Sequence, residues 1–159
     1  MTVSELGDKD IDSASYLYST AVQVQNPPGR LSQEEAELQL RKNFVHKRYH
    51  VFIHKDSDTS QVVNGILIFR TFEVAGKRAK IFFIGANPPG KGAGKALLHA
   101  LGDFCFSKRI DVIQTIVSSV DGRACSFYEH CGFKEVKRKQ KEGFAEIEMK
   151  ADAKRLKEL

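Results

Sequence analysis

Residues 81–98 read Ile-Phe-Phe-Ile, then Gly85-Ala86-Asn87-Pro88-Pro89, then Gly90-Lys91-Gly92-Ala93-Gly94-Lys95, then Ala96-Leu97-Leu98. No other stretch limits the fold as tightly. The aromatic and β-branched run is strand-like, and the two prolines end it because neither can donate to a ladder. The apolar spacing after Gly94 is helical. Between them, glycines at alternate positions let the backbone curl so that several N–H groups face one small space. The positive end of the following helix adds to that space. Such a nest binds phosphate without any particular side chain, and Lys91 and Lys95 bring charge beside it. A tight strand-to-helix connection would not need three glycines in five residues.

Two familiar phosphate motifs fit poorly. Gly85 to Lys91 matches G-x-x-x-x-G-K, but the next residue is Gly92, where that motif needs Ser or Thr for magnesium. The hairpin predicted before the loop also differs from the parallel β-α-β units in which that motif sits. A dinucleotide fingerprint starting at Gly90 and Gly92 would require glycine at Lys95.

The flanking chain predicts one mixed α/β domain of order β-α-α-β-β-β-α-β-α-β-β. Residues 2–6 are a short strand. Asp8 or Asp10 caps a helix carrying Ile11, Ala14, Leu17, Tyr18 and Ala21 on one face. Asn26-Pro27-Pro28-Gly29 ends it, and Ser32 with Glu35 forms a capping box for a second helix to about Val45. Strands follow at 49–54, 61–72 and 77–84, the last two paired as a hairpin through 73–76. A helix over 92–107 buries Leu97, Leu101, Phe104 and Cys105, and 112–118 is a central strand. A helix over 123–130 stops at Gly132, 133–138 and 143–150 form a last hairpin, and 151–159 is a polar, helix-capable tail.

A chain of 159 residues with a net charge of +5 suits a polyanionic ligand. Its basic residues are interleaved with acids, which argues against nucleic acid. The densest cluster, Lys137 to Lys141, is expected in an exposed hairpin turn. Cys105, Cys125 and Cys131 include no CxxC pair and read as reduced thiols of a cytoplasmic protein; no metal is expected. No apolar run reaches the roughly 20 residues that span a bilayer, and residues 1–5 do not resemble a secretion signal.

Two motifs carry a family resemblance. Residues 89–98 resemble the acetyl-CoA motif R/Q-x-x-G-x-G/A of the GNAT N-acetyltransferases. Asp121-Gly122-Arg123-Ala124-Cys125-Ser126-Phe127-Tyr128-Glu129-His130-Cys131-Gly132-Phe133 resembles that family's N-x-x-A-x-x-F-Y-E-x-x-G-F. The opening 17 residues resemble its first strand and helix, so the likeness spans nearly the whole chain. Pro89 stands where the first motif has Arg or Gln, and Asp121 where the second has Asn.

The resemblance implies a single GNAT domain over 1–159: a mostly antiparallel twisted sheet with one splayed parallel strand pair, flanked by helices. That pair would be 80–84 and 112–118. Backbone groups near Phe82 and Ile84 would pair with the pantetheine arm. Gly90, Lys91, Gly92, Ala93, Gly94 and Lys95 would hold the pyrophosphate, with Asp121 also at the cofactor. Tyr128 would be the acid for the departing CoA thiolate. No general base is legible: 77–83 has no carboxylate, and Glu73, His50 and His54 read as surface or core. The implied activity is acetyl transfer from acetyl-CoA to a primary amine on a small molecule or protein. The alternative is a GNAT-like module that binds CoA without turnover. The acceptor is not legible, although Arg30 and the Lys137–Lys141 cluster would favour an acidic one, and a homodimer is open.

Overall fold

The computed structural model describes residues 2–46, 48–73 and 76–159, with nothing stated of the side chains of 43–45. Its strands are β1 (Thr2–Glu5), β2 (His50–Lys55), β3 (Gly65–Phe72), β4 (Arg78–Ala86), β5 (Val112–Ser118), β6 (Lys134–Gln140) and β7 (Ala145–Asp152). The helices are α1 (Ile11–Val24), α2 (Gln33–His46), α3 (Ala93–Ser107), α4 (Gly122–His130) and α5 (Ala153–Lys157), with a 3-10 turn at Asp8–Asp10. The strands form one sheet in the order β1-β2-β3-β4-β5-β7-β6. The pairs β1–β2, β2–β3, β5–β7 and β6–β7 are antiparallel, and β4–β5 is parallel. This is the expected mixed α/β fold, with an open, mostly antiparallel sheet, one parallel pair and flanking helices. The link between β3 and β4 includes residues 74 and 75, which lie outside the described residues.

Two compact units divide the chain, 1–70 with 82–97 and 71–81 with 98–159, and β3, β4 and α3 run from one into the other. The first unit buries Ile11, Ala14, Leu17 and Tyr18 of α1 against Leu31, Ala36 and Leu40 and against Val51, Ile53, Ile66 and Ile68 of β2 and β3. Side chains two apart on a strand share a face, so one face of each strand supplies this core. At 1–3 kcal/mol per fully buried aliphatic side chain, this cluster is the unit's main stabilising feature.

The helix starts differ from expectation. Asp10 makes no cap hydrogen bond; its buried carboxylate takes Lys55 Nζ at 3.4 Å instead. A buried acid is costly unless paired, and that cost exceeds what an exposed cap contributes. The capping box at Ser32 is half formed. The Glu35 N–H donates to Ser32 Oγ at 3.1 Å, but the Glu35 carboxylate accepts from the same hydroxyl rather than from the Ser32 backbone.

In the second unit, β5 pairs with β7 along its whole length, Val112↔Asp152 to Ser118↔Glu146. α3 buries Leu98, Leu101 and Cys105 here, while Phe104 is only half-buried. The expected polar tail is a docked helix. Leu156 is fully buried, and the Ala153 N–H donates to Asp111 O at 2.8 Å. Gly102 makes this possible, since a Cβ there would lie 2.4 Å from Lys157 N and 2.7 Å from Leu156 C. The basic cluster is also displaced from its predicted place. Residues 137–140 lie on β6, an edge strand exposed at every position, and the turn is closed beyond them by Lys141 N–H donating to Phe144 O.

Candidate functional site

The glycine-rich turn belongs to the first unit. Gly90 and Gly92 hold φ of 76° and 87°, the left-handed region that glycine enters without a Cβ clash. At both, nothing lies within 4 Å of where a Cβ would be, so the turn's surface is bare backbone open to solvent. α3 starts at Ala93, where the Ala96 N–H reaches back to Gly92 O at 3.0 Å. The N–H groups of the first turn have no partner inside the helix. Lys91 and Lys95 are exposed on either side of Ala93, which is buried, and Gly94, which is half-buried. Bare N–H groups, a helix N-terminus and two exposed cations suit a pyrophosphate.

Upstream on β4, Phe82 is 60% exposed with its ring 5.5 Å from that of Tyr49, and Ile84 is half-buried. Phe83 packs on Tyr18 at 4.9 Å. The parallel pairing of β4 with β5 includes Arg78↔Val112, Ala79↔Ile113 and Lys80↔Gln114.

The second motif lies in the second unit. Tyr128 is 4% exposed, with its ring edge-on to Phe133 at 5.0 Å. Its hydroxyl is hydrogen-bonded to the Thr115 side chain, and burial pushes its pKa up to about 12. The phenol therefore keeps its proton across the neutral range. Asp121 is the N-cap of α4, and its Oδ1 accepts from the Ala124 N–H at 3.1 Å. A carboxylate there gains from the helix dipole as well as from the hydrogen bond. Cys125 donates to Ser118 O at 3.5 Å, and burial, then Asp121 and Glu129, push its pKa up.

The structure thus gathers Phe82, Ile84 and residues 90–95 in one unit, and Tyr128 and Asp121 in the other. Thr115 was missed by sequence reasoning. A hydroxyl inside the apolar run Val112-Ile113-Gln114-Thr115-Ile116-Val117 was the available signal. Of the candidate bases, His54 is buried, His50 stacks on Phe69 at 4.9 Å and Glu73 is exposed. Among the described residues no group of three or more His, Cys, Asp or Glu is placed to hold a metal ion. No helix of the described residues is long and apolar enough to cross a membrane.

A model of the acetyltransferase (GNAT) domain family matches residues 19–153. The chain belongs to the GNAT acetyltransferase family. It is accordingly an enzyme of the acyltransferase class. Solved GNAT structures share its fold at low identity. The spermidine N-acetyltransferase of Vibrio cholerae, in complex with CoA and spermine, is 18% identical with a TM-score of 0.76, covering 98% of this chain and 96% of its own. The ribosomal-protein-S18-alanine N-acetyltransferase of Escherichia coli is 20% identical with a TM-score of 0.69, over 96% and 93%. A Salmonella typhimurium structure, yncA with its cofactor acetyl-CoA, is 18% identical with a TM-score of 0.70, over 96% and 93%. No curated protein matches the sequence.

Proposed function

We propose that this GNAT chain works as a single domain that moves the acetyl group of acetyl-CoA to a primary amine. The observation that carries this reading is the turn at 90–95, whose two left-handed glycines leave bare backbone at the start of α3. Acetyl-CoA is anionic at its pyrophosphate, and this surface supplies N–H donors and two lysines without a competing carboxylate from the turn itself. The presence of acetyl-CoA or CoA in related structures supports the same donor. Two of the three relatives named above, the spermidine and the ribosomal-protein-alanine N-acetyltransferases, act on amines, which supports the acceptor class.

In the reaction a neutral amine attacks the acetyl carbonyl. An N–C bond forms, the C–S bond breaks, and the amine gives up a proton to water. The sulfur leaves as a thiolate of ordinary pKa about 8.5. We assign Tyr128 as the group that meets this sulfur. With its pKa near 12, full transfer of the phenolic proton to the thiolate is uphill. Its contribution is then a hydrogen bond to the developing negative charge, strongest as the C–S bond breaks. Phe82 and Ile84 are assigned to the pantetheine arm through backbone groups of β4. Asp121 stays in the cofactor site as the residue that fixes the start of α4. The three free cysteines support a reducing, cytoplasmic setting.

Calorimetric titration with acetyl-CoA tests the reading, with CoA and Mg-ATP as comparisons. Saturable binding of acetyl-CoA and CoA with no heat from Mg-ATP is expected. Absence of acetyl-CoA binding overturns the reading.

A further inference from the structure

Asn64, the last residue before β3, uses every polar group it has on residues of the first unit. Its N–H donates to His54 O at 2.9 Å, and its carbonyl accepts from the Asn87 N–H at 3.0 Å. Its side-chain Nδ2 donates to Asp56 Oδ1 at 2.8 Å. A carboxylate only accepts, so the amide's orientation is fixed and Oδ1 faces His54 Nδ1 as an acceptor. The imidazole hydrogen therefore sits on Nδ1. Nε2 is the lone-pair nitrogen, buried and without a partner among the described residues.

Two neighbours give this hub its consequence. His54 is 2% exposed, and the point above Gly65 where a Cβ would lie is 3.1 Å from His54 Cβ, Ala93 Cβ and Leu97 Cδ1. His54 and the first turn of α3 thus both close on Gly65. Asn87 opens the glycine-rich turn and is followed by Pro88 and Pro89, which have no N–H. Its N–H is the last backbone donor before Gly90. That hydrogen bond ties the turn's upstream end to Asn64, and two residues of restricted φ carry the restraint to Gly90.

We propose that Asn64, oriented by Asp56 and His54, is a positioning residue for acetyl-CoA: it holds Asn87 so that the 90–95 backbone is preset for the pyrophosphate. This rests on the functional reading above. It also gives the Pro88-Pro89 departure a purpose, since a stiff, anchored approach lowers the ordering cost of binding where the family motif offers a long side chain.

Titration of acetyl-CoA into Asn64→Ala, with steady-state kinetics, tests the idea. Kd and KM for acetyl-CoA should rise about 10-fold while kcat at saturation stays within about 2-fold, the pattern of lost preorganisation. Should Asn64→Ala not fold, Asp56→Ala carries the test: affinity should fall about 3-fold, with rescue by Asp56→Asn, whose carbonyl still accepts from the amide. Imidazole 15N shifts should show the Nδ1–H form of His54 in the wild type and a mixture in Asp56→Ala. A folded variant with unchanged affinity, or a wild-type His54 in the Nε2–H form, overturns the positioning role alone. A wild type that does not bind acetyl-CoA overturns the functional reading and this role with it.

Discussion

Tyr128 joins a buried ring to a hydroxyl that keeps its proton. Removing only the oxygen separates the two. Tyr128→Phe should fold, losing about 1 kcal/mol from the hydrogen bond with Thr115. Its turnover should drop about 10- to 100-fold, because the hydrogen bond to the departing sulfur is lost. Acetyl-CoA affinity should hold, and a thiol-release assay beside calorimetry reads both. A second prediction follows from burial. Cys105 is pushed up from 9.0 to about 12 and Tyr128 from 10.0 to about 12. Raised values mean that folding favours the protonated forms, so their stabilisation is complete below pH 9. It should fall from pH 9 for Cys105 and from pH 10 for Tyr128, until both have ionised near 12. The loss is on the order of 4 kcal/mol for Cys105 and 3 kcal/mol for Tyr128, read as a falling denaturant midpoint. At this scale the sequence made Tyr128 legible through the Phe-Tyr-Glu-x-x-Gly-Phe pattern. Thr115 and Asn64 were not legible, because a partner set by strand register or by a loop closing on a distant turn has no fixed spacing.

Element ends show where local rules prevail and where they give way. Ser32 and Asp121 cap as their positions suggest, whereas Asp10 is drawn to Lys55, which is 45 residues away in sequence. Exposed caps answer only to their own turn, while a buried carboxylate answers to whatever cation the fold brings. The strands were legible for a related reason. β5 matched its predicted bounds because apolar residues lie on both of its faces, whereas 61–64, expected as the start of a strand, is loop. The tail looked polar because its three buried residues, Ala151, Ala153 and Leu156, are a minority. Their docking surface depends on a residue with no side chain. Gly102→Ala should cost about 1–3 kcal/mol in thermal or denaturant unfolding by forcing α5 off α3. Gly92→Ala has the opposite profile. Nothing crowds its Cβ, so the strain is confined to a left-handed φ at a cost of about 1–2 kcal/mol. Relaxing that strain would spoil the nest, so acetyl-CoA affinity should fall more than the unfolding midpoint.

Across the whole molecule the net charge of +5 attracts an anionic donor over distances longer than any contact. Raising salt from about 50 to 500 mM shortens the screening length from roughly 14 to 4 Å. Acetyl-CoA binding should weaken accordingly, measured by calorimetry at the two salt levels. The basic cluster contributes less to this field than its sequence suggests. Arg138 is held by Glu135 at 2.7 Å and Lys141 by Glu146 at 3.1 Å, and Lys137 stands across from Glu148. The same strand closes the sheet with an unpaired row of backbone groups, every residue exposed and its ladder interrupted between Glu135 and Lys137. Any chain that adds here must lie alongside a strand that is both lysine-bearing and bent. Two copies meeting edge to edge would set like charges against each other and lose register at the kink. The sheet therefore carries its own stop signal, and at high concentration the protein should stay dispersed where a flat, neutral last strand would recruit another.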